Sequence, residues 1–268
     1  MTAGEWLSDA ALQRFARQVI LPELGEEGQL QLGRAHVAII GAGGLGAPLV
    51  LYLAATGIGR LTIIDDDLIE LSNLNRQITH RSRDLGTAKS VSAGHAATAL
   101  NPDLQLTTLE TRLGPDNAAA LLADADIIAD CTDTAAMRYC ISDTAHQLGK
   151  PVIFGGAVRL EGQLTTLRSG VDPESPCFRC LFPQAADASL APRCSEVGIL
   201  GPVTGIIGSM MALEVVREAL RPAMPLGRGL SGRLLLYDGR EPMLTEIAVA
   251  RRPDCPCCGT PGKGRQNT

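Results

Sequence analysis

Val37-Ala38-Ile39-Ile40-Gly41-Ala42-Gly43-Gly44-Leu45-Gly46 is an apolar run that breaks into a glycine cluster, and its reading decides the fold. Residues 37–40 are the length and type of a buried parallel strand. Gly41, Gly43 and Gly46 form G-x-G-x-x-G directly after that strand and at the opening of a helix over residues 46–56, the context the motif requires. The first glycine permits the tight turn and the second lets the backbone approach phosphate. The third allows close helix packing, and the helix N-terminus attracts negative charge. Asp65, at the end of the next strand and about twenty residues on, can accept ribose hydroxyls. The motif therefore points to a nucleoside phosphate; NAD and ATP both remain open at this point.

Outward from that unit the pattern alternates. Strands are predicted over residues 61–65, 104–110, 126–130 and 152–155, with helices over residues 116–123 and 134–148 and one running from after Asp84 to about Leu100, stopped at Asn101-Pro102. Such alternation implies right-handed crossovers in a doubly wound sheet. Beyond Gly155 the character changes. Residues 163–168, 233–237 and 243–249 read as antiparallel strands, separated by a Pro- and Cys-bearing loop over 171–201 and a long helix over 203–220. The expected fold class is therefore α/β, a Rossmann-like doubly wound mixed sheet with a parallel N-terminal half and antiparallel C-terminal strands. The expected organisation is an N-terminal helical arm of two short amphipathic helices (1–34), a main domain (35–260) and a disordered tail (261–268).

Composition narrows the classes. The 268 residues carry a formal net charge of -5, with 45% hydrophobic and only 3% aromatic residues, so the core is aliphatic and no basic footprint for nucleic acid exists. Residues 1–25 carry charge throughout and no apolar segment of a signal peptide, which places the protein in the cytoplasm. The apolar stretch 37–59 is long enough to consider as a membrane span, but its glycines and Pro48 make it strand, turn and helix instead. No membrane partner is expected. His36, His80, His95 and His146 form no ligand spacing or triad, and no catalytic role falls to them.

The residues after Asp65 separate ATP from NAD. Ser72-Asn73-Leu74-Asn75-Arg76-Gln77 places amides and a cation beside the nucleotide, and Lys89 enters the next helix. These groups suit phosphates and the charge on a leaving pyrophosphate, whereas hydride transfer needs a nicotinamide pocket. Asp130-Cys131-Thr132-Asp133 ends a later strand at the ligand-binding edge, where Asp133, with Thr134 beside it, can hold magnesium. Taken singly, Arg76 and Lys89 would be solvated charges and Asp133 a helix cap; their combination favours the phosphate site. No G-x-x-x-x-G-K-[ST] is present, which excludes P-loop chemistry.

Eight cysteines in a chain of this kind do not suggest a disulfide framework. Cys177-Phe178-Arg179-Cys180 and Cys255-Pro256-Cys257-Cys258 supply two C-x-x-C knuckles, and four thiolates suit tetrahedral zinc that staples the C-terminus to the crossover loop. Cys177, Cys180, Cys255 and Cys258 are the expected ligands, with Cys257 a spectator. Cys131 and Cys140 read as core.

From Phe15 to Gly259 the chain resembles the HesA/MoeB/ThiF family of sulfur-carrier adenylyltransferases, relatives of the ubiquitin-activating enzymes. The resemblance rests on Arg14-Phe15-Ala16-Arg17-Gln18, the glycine loop, residues 72–77, Lys89, residues 130–133, both knuckles and Gly201-Pro202-Val203-Thr204-Gly205. It implies that ATP is cleaved at its α-phosphate by the C-terminal Gly-Gly carboxylate of a small ubiquitin-like sulfur carrier, ThiS-like or MoaD-like, giving an acyl-adenylate and pyrophosphate. It implies also that Gly44 and its neighbours contact the nucleotide, that Asp65 holds ribose, that Asn73, Arg76 and Lys89 engage the phosphates, and that Asp133 supports magnesium. By the same resemblance Arg17 reaches into a neighbouring subunit's site, so a homodimer is expected, and Cys194 matches a cysteine that in some members links to the carrier during sulfur transfer. Sulfur itself would come from a separate donor protein. The rival readings are adenylation of a peptide terminus in secondary metabolism, a nicotinamide-dependent oxidoreductase, and a non-catalytic zinc scaffold.

Overall fold

The computed structural model describes residues 7–183, 197–221, 224 and 226–259. Its frame is an eight-stranded mixed sheet in the order β3-β2-β1-β4-β5-β6-β7-β8. The strands are β1 (His36–Ile40), β2 (Arg60–Ile64), β3 (Gln105–Leu109), β4 (Ile127–Asp130), β5 (Val152–Val158), β6 (Glu161–Leu167), β7 (Arg233–Asp238) and β8 (Met243–Ala248). The first five pair in parallel and the last three join antiparallel, in the two halves expected.

The described helices are α1 (Asp9–Val19), α2 (Gly25–Arg34), α3 (Gly46–Thr56), α4 (Lys89–Leu100), α5 (Ala118–Leu122), α6 (Ala135–Leu148), α7 (Phe178–Leu181) and α8 (Gly201–Leu220). They cover both faces, and period-2 alternation explains how. Val37 and Ile39 point into one core with Leu49 and Leu53 of α3 and Met211 and Val215 of α8. Ala38 and Ile40 point into the other with Ile141 of α6, Phe154 and Phe178. Every residue of β1 is therefore buried, and after His36 the strand reads as a continuous apolar run.

Crossovers leave β1 toward β2 and return from β3 to β4 on the other side of β1, so the carboxyl ends of β1 and β4 lie side by side with their helices on opposite faces. This is the switch point at which open α/β sheets form a crevice. Helix α8 fixes the junction of the two halves. It lies so close to β5 that a Cβ on Gly155 would meet Met211 Sδ at 2.2 Å. Its two buried acids are both neutralised: Glu214 accepts from Thr166, Leu230 N–H and Arg217, and Glu218 from Arg221 and Arg168. Unpaired, those carboxylates would be costly at such depth.

The N-terminal arm is folded against α3, where Gln18 and Gln29 both donate to Thr56 O at 3.0 Å. No helix among the described residues is long and apolar enough to cross a membrane. The expected tail over 261–268 lies outside the described residues.

Candidate active site

The crevice between the β1 and β4 ends opens into a cavity of about 1240 Å³. Its floor is the glycine turn. Gly41 has φ +95, which an L side chain rarely adopts, and its N–H donates to Ile64 O at 2.9 Å. Cys131 N–H donates to Ile40 O at 2.9 Å, so the two strand ends are laced together beneath the cavity. Gly41, Gly43 and Gly44 line it. Gly46 does not; it lets α3 start against the turn, because a Cβ there would sit 2.1 Å from Gly41 O.

Asp65 stands beside the turn and ties it to β2. One carboxylate oxygen accepts Ala42 N–H at 2.7 Å and the other accepts Asp67 N–H at 2.9 Å. Burial pushes the Asp65 carboxyl above the usual carboxylate range, the two backbone N–H bonds and Lys89 opposing it. Lys89 is the first residue of α4, almost fully buried, with Nζ 2.6 Å from Asp67 Oδ2 and its own N–H on Asp67 O. A buried cation at the positive end of a helix is poorly placed unless anions surround it. Asp67 supplies one.

Asn73 is buried in a single 3-10 turn (Leu71–Asn73), where Oδ1 accepts Glu70 N–H at 3.0 Å. Arg76 is held by Ser72 O at 3.1 Å and lies on the cavity wall. Ser72 points elsewhere, its hydroxyl donating to Glu70 at 3.2 Å, and is not part of the lining. Asp133 and Thr134 line the opposite wall. Asp133 is exposed and makes no hydrogen bond or ion pair among the described residues, and Thr134, which occupies the cap of α6, makes no capping hydrogen bond with its side chain. Asp133 is thus no helix cap. Its bare carboxylate faces the cavity with the oxygen chemistry that suits a hard cation.

Three features escaped sequence reasoning. Arg138, one turn into α6, donates through Nε and Nη2 to Thr132 O at 3.2 and 2.8 Å and stacks 4.8 Å from the Phe154 ring centroid, clamping the loop that carries Asp133. The only hint was a cation four residues past the Asp-Cys-Thr-Asp-Thr run. Asp130, just before that loop, is buried and accepts both the N–H and the hydroxyl of Thr132 at 2.9 and 2.7 Å; burial drives its carboxyl above the ordinary range. The cavity also runs on past the glycine-turn half, along Gly156 of β5 and Gln163, Leu236, Tyr237, Met243 and Thr245 of the antiparallel strands. β8 is exposed along its whole length, with Met243 and Leu244 each 53% accessible.

The remaining predicted residues are Arg17, Cys194 and Cys131. Arg17 is on the exposed side of α1 and does not line the cavity. Cys194 falls outside the described residues. Cys131 lines the cavity floor as a thiol whose ionisation burial opposes strongly.

The two knuckles do meet. Cys177, Cys180, Cys255 and Cys258 are all buried, their sulfurs within 4.8 Å of one another, with 3.5 Å between Cys177 and Cys255 and 3.4 Å between Cys180 and Cys258. Four ligands at about 2.3 Å from a tetrahedral centre stand about 3.8 Å apart, so this cluster fits zinc. Arg252 N–H donates to Cys180 Sγ at 3.3 Å, the kind of outer bond that orients a thiolate ligand. Cys257 stays outside the four.

Comparison with known proteins covers nearly the whole chain. The ThiF family model matches residues 15–257. The chain is 39% identical over 256 residues to the SAMP-activating enzyme E1 of Haloferax volcanii, covering 96% of this chain and 92% of that one. It is 39% identical over 250 residues to the sulfur carrier protein adenylyltransferase of Thermus thermophilus, covering 92% and 91%. It is also 43% identical over 254 residues to the adenylyltransferase and sulfurtransferase MOCS3 of Bos taurus, covering 94% of this chain but spanning only 54% of that longer protein. Among solved structures, E. coli MccB with MccA-N7isoASN has the same fold, with TM-score 0.79 at 19% identity, covering 94% of this chain and 76% of that one.

Proposed function

The chain belongs to the ThiF family, and from that premise we propose that it adenylates the C-terminal glycine carboxylate of a small ubiquitin-like sulfur carrier, releasing pyrophosphate. One observation carries the reading: a single cavity joins a nucleotide half, bounded by the glycine turn, Asp65, Asn73, Arg76, Lys89 and Asp133, to a second half bounded by β5–β8 and open along β8. A reaction between a nucleotide and a chain long enough to reach it from the sheet edge uses both.

Each residue then has a role. The N–H groups of Gly43 and Gly44 meet phosphate, and Asp65 accepts from ribose. The carrier carboxylate, ionised near neutral pH, attacks the α-phosphorus through its own oxygen. The bond from that phosphorus to the bridging oxygen breaks, and the electron pair leaves on pyrophosphate. No protein nucleophile or base is needed; positioning and charge stabilisation suffice. Arg76 and Lys89 stabilise the charge that moves to the leaving group, Lys89 exchanging Asp67 for a phosphate oxygen. Asp133 would hold magnesium, which supplies charge neutralisation at the phosphates. The four-sulfur cluster would hold zinc in a structural role, since all four positions are protein ligands.

Arg17 does not line its own chain's cavity, and in this reading it completes the site of a second copy in a homodimer. Cys194 is assigned to later sulfur transfer from a separate donor protein, and the enzyme works in the cytoplasm. Thiazole and molybdopterin carriers, ThiS-like or MoaD-like, are both candidates for the substrate.

Exchange of labelled pyrophosphate into ATP tests the proposal. Exchange that depends on a Gly-Gly-ended carrier and disappears in Asp133→Asn is the expected result; nicotinamide reduction, or ATP binding with no carrier-dependent exchange, would overturn it. Mixing Arg17→Ala with Asp133→Asn chains should restore one working site in each mixed dimer. Cys194→Ala should keep exchange and lose sulfur transfer.

A further inference from the structure

His80 belongs to no motif, yet it touches the glycine turn. The residue is 4% exposed, with Nε2 3.3 Å from Ala42 O and Nδ1 3.0 Å from Ser92 Oγ. Ser92 lies on α4 and its hydroxyl is 3.4 Å from Asp84 Oδ2. Ala42 O can only accept, so Nε2 carries the proton and Nδ1 accepts from Ser92 in the neutral ring. Burial lowers the His80 pKa and favours that neutral form. The charged groups facing the ring, Lys89, Asp84 and Arg81, act on it more weakly. Were the ring charged, Nδ1–H would donate to Ser92 and the hydroxyl would turn to Asp84. The bond to Ala42 survives in either state.

Ala42 is consequently held from both sides, its N–H by Asp65 and its C=O by His80. In a trans peptide the carbonyl of one residue and the N–H of the next point in opposite directions. Fixing Ala42 C=O on the buried His80 therefore turns the Gly43 N–H away from the ring, and Gly43 lines the cavity. That N–H has no partner among the described residues.

We propose that His80 is a positioning residue that aims the Gly43 N–H at a nucleotide phosphate. The inference rests on the reading that the glycine turn binds ATP. It separates phosphate recognition from recognition of the nucleoside, because adenosine offers the Gly43 N–H nothing to bind.

The test compares ATP and adenosine affinities, by calorimetric titration, in the full-length protein and in His80→Leu and His80→Gln. Leucine fills the space without a donor, whereas the glutamine amide restores one near the Nε2 position. One lost hydrogen bond is worth about tenfold in affinity, so the ratio of ATP to adenosine affinity should fall about tenfold in His80→Leu and recover to within about threefold in His80→Gln. A general packing defect would weaken both ligands together and leave the ratio unchanged. That result, or a glutamine variant no better than leucine, would overturn the proposal. Should His80→Leu fail to fold, Ser92→Ala loosens the ring from behind and should lower the same ratio by about threefold; an unchanged ratio there would overturn it equally. Wild-type protein that binds neither ligand would refute the nucleotide reading, and this inference with it. Wild-type ATP binding with no change of ratio in the variants would refute this inference alone.

Discussion

Replacing Gly46 by alanine should damage both stability and nucleotide binding, for a reason that can be worked from distances. The added methyl would lie 2.1 Å from Gly41 O, whereas ordinary contact begins near 3.4 Å. Relief needs a displacement of roughly 1 Å, and neither side can retreat. Gly41 is anchored to Ile64 O, with the Cys131 carbonyl close against it. The start of α3 is backed by α8, where a Cβ on Gly208 would already meet Leu45 O and Pro48 Cγ at 2.5 Å. Overpacking of this kind costs about 3 kcal/mol, the upper end of its usual range, or a fall of about 5–10 °C in Tm for a chain of this size. A phosphate cradle misplaced by about 1 Å should lose on the order of a hundredfold in kcat/KM for ATP. Gly43→Ala is the control. Its methyl would meet only Gln77 Nε2, at 3.7 Å, so Tm should stay within about 2 °C of wild type while ATP binding falls. Thermal denaturation and pyrophosphate exchange on the two variants read the difference. A Gly46→Ala protein with unchanged Tm and ATP KM, or a Gly43→Ala protein destabilised as much, would refute the reasoning.

Asp130→Asn keeps an acceptor for Thr132 and removes a buried negative charge, so it should raise Tm at neutral pH. Because burial raises the folded-state pKa of Asp130, its ionisation weakens the fold as pH rises through that value; the variant's advantage should be absent near pH 4 and grow toward pH 8, and a gap that narrows with pH would contradict this. Arg159 is held at φ +53 in the β5–β6 turn, and Arg159→Gly should stabilise the protein by about 1 kcal/mol, measured by urea denaturation; a loss of stability would mean that its side chain matters more than its backbone. Metal analysis should find about one zinc per chain, reduced sharply in Cys180→Ser but not in Cys257→Ser; equal losses in both would give Cys257 a ligand's place.

The parallel half was legible because its inner strands are buried on both faces and announce themselves as Val-Ala-Ile-Ile and Ile-Ile-Ala. The order of strands in the sheet was less so, since β1 gains neighbours from residues 60–64 on one side and 127–130 on the other, and only topology rules suggest it. Gly41 to Gly46, Asp65 and the two knuckles could be read because their spacing along the chain is itself the signal. The Lys89–Asp67 pair, the His80 contact with Ala42 and the Arg138 clamp could not: they join residues 22, 38 and 6 positions apart whose types are common on any surface. The second half of the cavity was hidden for the same reason, being built from four strands that meet only when the sheet is complete.

The sulfur cluster has a consequence for how the chain reaches this state. Cys177 and Cys255 are 78 residues apart, and the segment between them includes α8 and β7–β8. Drawing the ends of so long a segment together in an unfolded chain costs roughly 4 kcal/mol of loop entropy, a cost already met once the sheet and α8 have formed, so the four thiols are gathered most readily by the folded chain. On that route the antiparallel hairpin and α8 settle on the sheet before the second knuckle arrives. Metal capture would then be the closing event of folding, a latch that slows escape from the finished structure more than it hastens arrival. Protein made during zinc starvation would acquire its native sheet at the usual speed and lose it sooner.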